Sequence, residues 1–189
     1  MWDNTDFMYK RGDTQFSKHA LIIMVDTNLI VADGQTPLMN DTNTTEGGYN
    51  GCKYRSTYKA QCKSIIEAWC GASHIATYRG LISTAVTNGK ASNWAWTDCD
   101  VELPNEVNMY GHNAWSSYTD GGSGYNIGSF WGQFRLAELE PSNVVNRTNY
   151  WLQDVVSASR FARVSYAGDA ADDPASGDWV GVRPFFILV

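Results

Sequence analysis

Tyr150-Trp151-Leu152-Gln153-Asp154-Val155-Val156-Ser157-Ala158-Ser159-Arg160-Phe161-Ala162-Arg163-Val164 is the stretch on which the fold turns. It is one of two largely apolar cassettes near the end of the sequence, the other being Gly181–Val189, and it reads as short strands. Strands are predicted at about 149–153 and 160–166. A third is predicted at 179–188, within the apolar run Gly181-Val182-Arg183-Pro184-Phe185-Phe186-Ile187-Leu188-Val189. Pro184 has no N–H to give to a ladder, so this last strand should bulge or lie at an edge there. Residues 165–180 are small and of mixed polarity. A stiff apolar frame thus flanks a segment suited to display, which suggests a recognition surface more than a catalytic centre.

The rest of the chain supports one domain, 19–189, preceded by an arm or linker at 1–18. The 189 residues are 43% hydrophobic and 18% charged, enough apolar matter to offset the entropy of ordering a core. Seventeen glycines among many Ser, Asn, Asp and Thr predict short strands and many turns. The net charge is -6 and no Lys/Arg cluster stands out, so nucleic acid is a poor candidate partner. No apolar run approaches the roughly 20 residues that span a bilayer. The strand-like Ala20–Val25 lacks the basic flank and cleavage site of a signal peptide, and no membrane insertion is expected.

Upstream, a second short strand is predicted at Asn28–Val31 and a long loop at 33–51. A helix should open at Ser56, because Tyr58, Cys62, Ile65, Ile66 and Trp69 form one apolar stripe and Gly71 suits its end. A second helix is predicted over Tyr78–Thr87, stopped by Asn88-Gly89. Residues 92–132 are aromatic and glycine-rich, interrupted at 101–107 by a strand or turn at the core edge. Trp69, Trp94, Trp151, Phe161 and Phe185 are assigned to the core. Tyr166 and Trp179, set among small polar residues, are better placed for contact with a ligand.

Few residues carry reactive chemistry. Cys52, Cys62, Cys70 and Cys99 form no Cys-x-x-Cys pair. Buried, reduced thiols are expected, with a Cys52–Cys99 bridge left open. His19, His74 and His112 complete no zinc spacing. Asp98, Asp100 and Glu102, and Asp169, Asp172 and Asp173, are spaced as carboxylates in solvated loops commonly are. Oxygen donors at Asn93, Asp98, Asp100, Glu102, Asn105 and Glu106 could serve calcium only if the fold gathered six to eight of them. Neither Gly-x-Ser-x-Gly nor a phosphate-binding loop occurs. The expectation is a non-enzyme with no metal and no cofactor.

Trp151-Leu152-x-Asp154-Val155, Phe161-Ala162-x-Val164, Gly168-x-Ala170, Ala175-Ser176 and Gly181-Val182-Arg183-Pro184-x-Phe186, with Cys99-Asp100-Val101-Glu102-Leu103-Pro104-Asn105-Glu106-Val107 and Tyr110-Gly111 upstream, carry a resemblance. Over residues 80–189 the chain resembles C-type-lectin-fold virion proteins of phages of gut bacteria, a non-enzymatic branch near the formylglycine-generating enzymes. Several of these are diversified by retroelements that mutagenise adenines. The resemblance implies an α+β, C-type-lectin-like fold: one or two helices against a twisted, mostly antiparallel sheet, rich in loops.

It also implies a virion surface protein of fibre, tail or head decoration, assembled in the host cytoplasm. Its partners would be a host cell-surface protein or glycan and other virion subunits, and it would form a homo-oligomer, a trimer by analogy with fibres. The ligand-binding candidates are Ser157, Ser159, Arg160, Arg163, Ser165, Tyr166, Asp169, Asp172, Asp173, Asp178 and Trp179. Ala167, Ala171, Gly177 and Val180 are further display positions. The alternatives are a structural cement protein and an enzyme of the formylglycine-generating class. The chain has no Cys after Cys99, which argues against the enzyme. Gln153 stands where relatives commonly carry Arg. The extra Leu in Glu102-Leu103-Pro104-Asn105 and the lack of Trp-Asn-Asp argue against calcium-dependent sugar binding.

Overall fold

The computed structural model describes residues 20–24, 37–116 and 147–189. The arm, the strand expected at 28–31 and the part of the aromatic stretch beyond 116 lie outside the described residues. The fold is α+β, with one main helix and small antiparallel sheets. In chain order the elements are β1 (Ala20–Ile23), α1 (Lys59–Cys70), β2 (Tyr78–Thr87), β3 (Lys90–Cys99), α2 (Glu106–Tyr110), β4 (Tyr150–Ser157), β5 (Arg160–Val164), β6 (Ala170–Pro174) and β7 (Phe185–Leu188). Among the described residues no helix is long and apolar enough to cross a membrane.

The helix expected at 78–87 is instead the first strand of a hairpin. β2 and β3 pair antiparallel from Tyr78↔Cys99 to Thr87↔Lys90. Asn88 and Gly89, read as a helix stop, are the two-residue turn itself. Their φ values of 52° and 74° are the positive pair that a type I′ turn requires and that Asn-Gly adopts readily. The turn matches the twist of the flanking strands, and the β-branched residues of β2 suit a pleated surface. Gly80 is needed on this hairpin, since a Cβ there would sit 2.6 Å from Cys99 Sγ.

α1 forms where the apolar spacing places it, entered through one π-helical turn at Tyr54–Tyr58. Its buried stripe is narrower than expected. Cys62 and Ile66 are buried, whereas Ile65 is 42% and Trp69 67% exposed. Trp69 is therefore not a core residue. It meets buried Phe186 edge-on, with ring centroids 6.4 Å apart, and leaves the rest of its ring in solvent. Trp94 is half-buried, packed against the core from β3. Trp151, Phe161 and Phe185 are fully buried, as their positions in the apolar runs imply.

β7 is central rather than marginal. β1 pairs with it on one side, from Ala20↔Leu188 to Ile23↔Phe185. On its other side Glu102 and Phe185 exchange backbone hydrogen bonds of 3.1 and 2.8 Å, and Ala76 N–H reaches Ile187 O at 2.9 Å. The strand starts one residue after Pro184, so the 179–188 expectation shortens to 185–188. Pro184 stays outside the ladder, its carbonyl accepting from Met24 N–H at 3.0 Å. The 101–107 segment splits. Glu102 makes the bridge to β7, and Asn105 then caps α2 through a reciprocal pair with Asn108, at 2.6 and 2.9 Å.

β4, β5 and β6 form a three-stranded meander. β4 runs to Ser157, beyond the expected 153, and β5 stops at Val164. β6 falls inside the 165–180 segment, read as small residues of mixed polarity with no strand assigned. The loop at 37–51 lies along this meander. Trp151 Nε1–H donates to Pro37 O at 3.1 Å, Asn40 N–H to Ala175 O at 2.8 Å, and Thr45 N–H to Ala158 O at 3.0 Å. Thr45 Oγ1–H donates to Ser157 O at 2.7 Å. The β4–β5 turn is therefore braced by a distant loop.

Candidate functional site

Most of the sequence-predicted candidates gather on the β5–β6 hairpin and its turn. Partners across an antiparallel ladder share a face. Phe161↔Asp173 and Arg163↔Ala171 therefore put Arg163 and Asp173 on one face, while Ala162↔Asp172 and Arg160↔Pro174 put Arg160 and Asp172 on the other. Each arginine has a close carboxylate, and Asp173 also lies 4.0 Å from Arg160. Arg160 Nε–H donates to Asp172 at 2.8 Å, and that hydrogen bond raises the arginine's pKa. The pair is part-exposed and adds at most about 1 kcal/mol. The Arg163–Asp173 pair is more sheltered, with side chains 18% and 11% exposed.

Arg163 is the hub of a chain of hydrogen bonds linking two exposed aromatics. Its Nη1–H donates to Asn149 Oδ1 at 3.0 Å. The same oxygen accepts from Tyr166 N–H at 3.0 Å. On the other side, Asp173 Oδ2 accepts from Arg163 Nε–H and, at 3.2 Å, from Trp179 Nε1–H. Tyr166 is 67% and Trp179 53% exposed. The Tyr166 ring thus projects from a backbone tied to Asn149, and the Trp179 ring is itself tied to Asp173 through its indole N–H.

The turn between β5 and β6 is built around Ser165. Its Oγ accepts from Ala167 N–H at 3.2 Å and Asp169 N–H at 3.1 Å. Gly168 adopts φ 93°, where a side chain would be strained. Tyr110 O–H donates to Gly168 O at 3.0 Å, and Trp115 Nε1–H to Ala170 O at 2.9 Å. Trp115 is 55% exposed, so a third aromatic ring stands beside this hairpin.

The outer edge of β6 is closed. Asp169 O accepts from Ser165 N–H, and Ala175 N–H donates to Ser159 O, so odd-numbered residues face β5. The carbonyls of Ala170, Asp172 and Pro174 then point away from it. Trp115 Nε1, Arg160 Nη2 at 3.2 Å and Gly177 N at 2.7 Å cap them in turn. With these carbonyls taken, the edge is a poor template for another strand, and side chains offer a partner the main contacts.

The predicted positions thus separate by role. Tyr166, Asp169, Asp178 and Trp179 are exposed, and Ser157, Ser159, Arg160, Arg163 and Asp172 are half-buried. Ser165 and Asp173, both 8% exposed, are buried because one staples the turn and the other holds Arg163 and Trp179. Val180 and Gly177 are buried too, and Trp179 lies against Gly177. Sequence reasoning missed Trp115 and Asn149. Trp115 sat in a segment read only as aromatic-rich, and nothing in the sequence marks Asn149 as the acceptor shared by Arg163 and Tyr166.

The carboxylates upstream belong to the frame. Glu102, its side chain 1% exposed, faces Arg55 at 3.1 Å and Lys59 at 2.6 Å, and accepts from Tyr49 O–H at 2.9 Å. Asp100 meets Lys59 at 2.8 Å and Lys63 at 2.7 Å. Glu106 accepts backbone N–H groups from Ala114, Trp115 and Ser116 at 2.9–3.0 Å. Among the described residues no three of His, Cys, Asp and Glu come together as metal ligands would.

Burial resists the ionisation of Asp100, but hydrogen bonds from Lys59 and Lys63 outweigh it and bring the carboxyl from 3.8 down to about 2. A group depressed by folding stabilises above its unfolded pKa. That contribution is lost as pH falls from about 4 to about 2. Asp100→Asn should remove about 2 kcal/mol of this pH dependence, read from urea unfolding at pH 6 and pH 2.5.

All four cysteines are free, so the Cys52–Cys99 bridge is not formed. Burial pushes the Cys52 and Cys62 thiols up to about 12 and Cys99 higher still, which leaves them poor nucleophiles. A small cleft between the hairpin and β4 is lined by Leu81, Ser83, Trp94, Asn105, Gln153, Asp154 and Val155. Its polar groups serve the fold: Ser83 Oγ takes Tyr49 N–H at 3.1 Å, Asp154 takes Glu106 N–H at 2.7 Å, and Gln153 Nε2–H reaches Leu103 O at 3.3 Å.

Comparison with protein-family models, with curated proteins and with solved structures finds no match for this chain.

Proposed function

We propose that this chain is a binding module on the surface of a phage particle, with a C-type-lectin-like fold, and that it attaches through the β5–β6 hairpin to a host or environmental ligand. One observation carries the reading. Tyr166 and Trp179 are 67% and 53% exposed, yet the Tyr166 backbone and the Trp179 ring are both tied to the Asn149–Arg163–Asp173 chain. Large rings held in place offer contact area at low entropic cost. The pairing of an early strand, β1, with the last, β7, around one main helix suits the expected fold. Repetition of the module in a symmetric homo-oligomer would add avidity.

Tyr166→Ala with Trp179→Ala tests this. Both rings are largely in solvent, so the melting temperature should move by only a few degrees. Binding of the labelled protein to host cells, read by flow cytometry, should fall by about tenfold or more. Unchanged binding would remove the hairpin from the attachment site. A cement role has one observation of its own: Ile65, Trp69 and Val189 are exposed apolar residues at 42%, 67% and 45%. Immunogold labelling separates the two readings, since a cement domain would be masked in intact particles and a binding module would be labelled.

A further inference from the structure

Two of the three exposed aromatics here, Trp115 and Trp179, turn their hydrogen-bond donors inward. Trp115 spends its indole N–H on Ala170 O at 2.9 Å, and Trp179 spends its own on Asp173 at 3.2 Å. What they offer outward is ring, and the face of an aromatic ring is the negative part of its quadrupole. The charges point the same way. Arg160 is paired with Asp172 and Arg163 with Asp173. Asp169 and Asp178 are exposed, and among the described residues neither is ion-paired. Four carboxylates therefore stand against two guanidiniums on one hairpin and its flank. The cations are already engaged, while carboxylates and π faces stay open to solvent.

We propose that the occupant of this face is a lysine- or arginine-bearing segment of a partner protein. Its cations lie over the rings of Tyr166, Trp179 and Trp115 and face Asp169 and Asp178. The inference rests on the binding-surface reading and names the partner class. Ring faces and carboxylates together hold a cation more tightly than either does alone. The capped edge of β6 makes this side-chain route the main means of recognition. A neutral glycan would also stack on the rings, but it would gain nothing from the surplus of negative charge.

The test uses the whole chain, isotopically labelled at tryptophan, titrated with an alternating Lys-Gly peptide and followed by NMR. The expected result is movement of the Trp115 and Trp179 ring signals with Trp69 unmoved, and an affinity that falls between 50 and 300 mM salt. Asp169→Asn with Asp178→Asn should weaken binding about tenfold. Glu46→Gln, which removes an exposed charge elsewhere, should leave it unchanged, and the lysine-acetylated peptide should not bind.

Loss of affinity in Glu46→Gln equal to that in the aspartate variant would reduce the effect to overall charge and overturn the proposal. Movement of the same signals by a neutral oligosaccharide, with none from the peptide, would overturn it in favour of a glycan while the binding-surface reading stands. No response to the peptide, together with unchanged host-cell binding by the Tyr166→Ala, Trp179→Ala protein, would overturn both.

Discussion

Glu102→Ala should destabilise the protein by about 3–5 kcal/mol, measured by urea denaturation at neutral pH. The carboxylate is 1% exposed and lies 3.1 Å from Arg55 and 2.6 Å from Lys59. Its other oxygen accepts from Tyr49 O–H at 2.9 Å, and that same hydroxyl oxygen accepts from Leu103 N–H at 2.9 Å. Removing the side chain takes the carboxylate from the largely buried Arg55, leaves Lys59 with Asp100 alone, and loosens the segment that bridges to β7. Arg55 Nε is already buried without a partner, so the guanidinium has little in reserve. Glu102→Gln keeps the size and the bond from Tyr49 but not the charge, and should fall between the two. A loss below 1 kcal/mol for Glu102→Ala would mean that water reaches the cluster and screens it.

Trp151→Ala should cost a similar 3–5 kcal/mol. The ring is fully buried on β4, and its N–H holds the 37–51 loop through Pro37 O at 3.1 Å. Truncation therefore opens a cavity and also releases the loop that braces the β4–β5 turn. Trp151→Phe separates the two effects. It restores most of the packing, leaves Pro37 O without its donor, and should cost about 1–3 kcal/mol. Equal losses in the two variants would assign the whole effect to the hydrogen bond.

The legible part of this chain was local. Trp151, Phe161 and Phe185 stood out as core because they sit in short apolar runs, and the α1 stripe found its helix. Asn88-Gly89 was visible, but it was read as a stop rather than as the turn of a hairpin, so β2 became a helix on paper. The two readings differ by the sign of φ at two residues, and helical spacing of a few apolar side chains does not settle it. Trp69 fell on the correct stripe, and only the tertiary structure shows how little of it the core covers.

Position on the candidate face was less legible. Asp172 and Asp173 look alike in sequence, yet the pleat sends them to opposite faces, and only Asp173 reaches both arginines. Ser165 looked like a display residue, and its hydroxyl instead closes the turn beneath Tyr166. Asn149 drew no notice, since its role comes from Arg163 and Tyr166 converging on one oxygen. Contacts made across more than a dozen residues leave no local pattern.

The measurement that tests the central claim most directly is the nucleotide sequence of codons 149–181 in several isolates of the source, together with a search for an adjacent near-identical repeat. A display surface on a fixed frame predicts differences at Tyr166, Ala167, Asp169 and Asp178, with Arg160 and Asp172 changing together, in codons that carry adenine. Asn149, Trp151, Phe161, Ser165 and Asp173 should be constant. Differences spread evenly over buried and exposed positions, or an invariant stretch with no repeat, would contradict a diversified attachment surface.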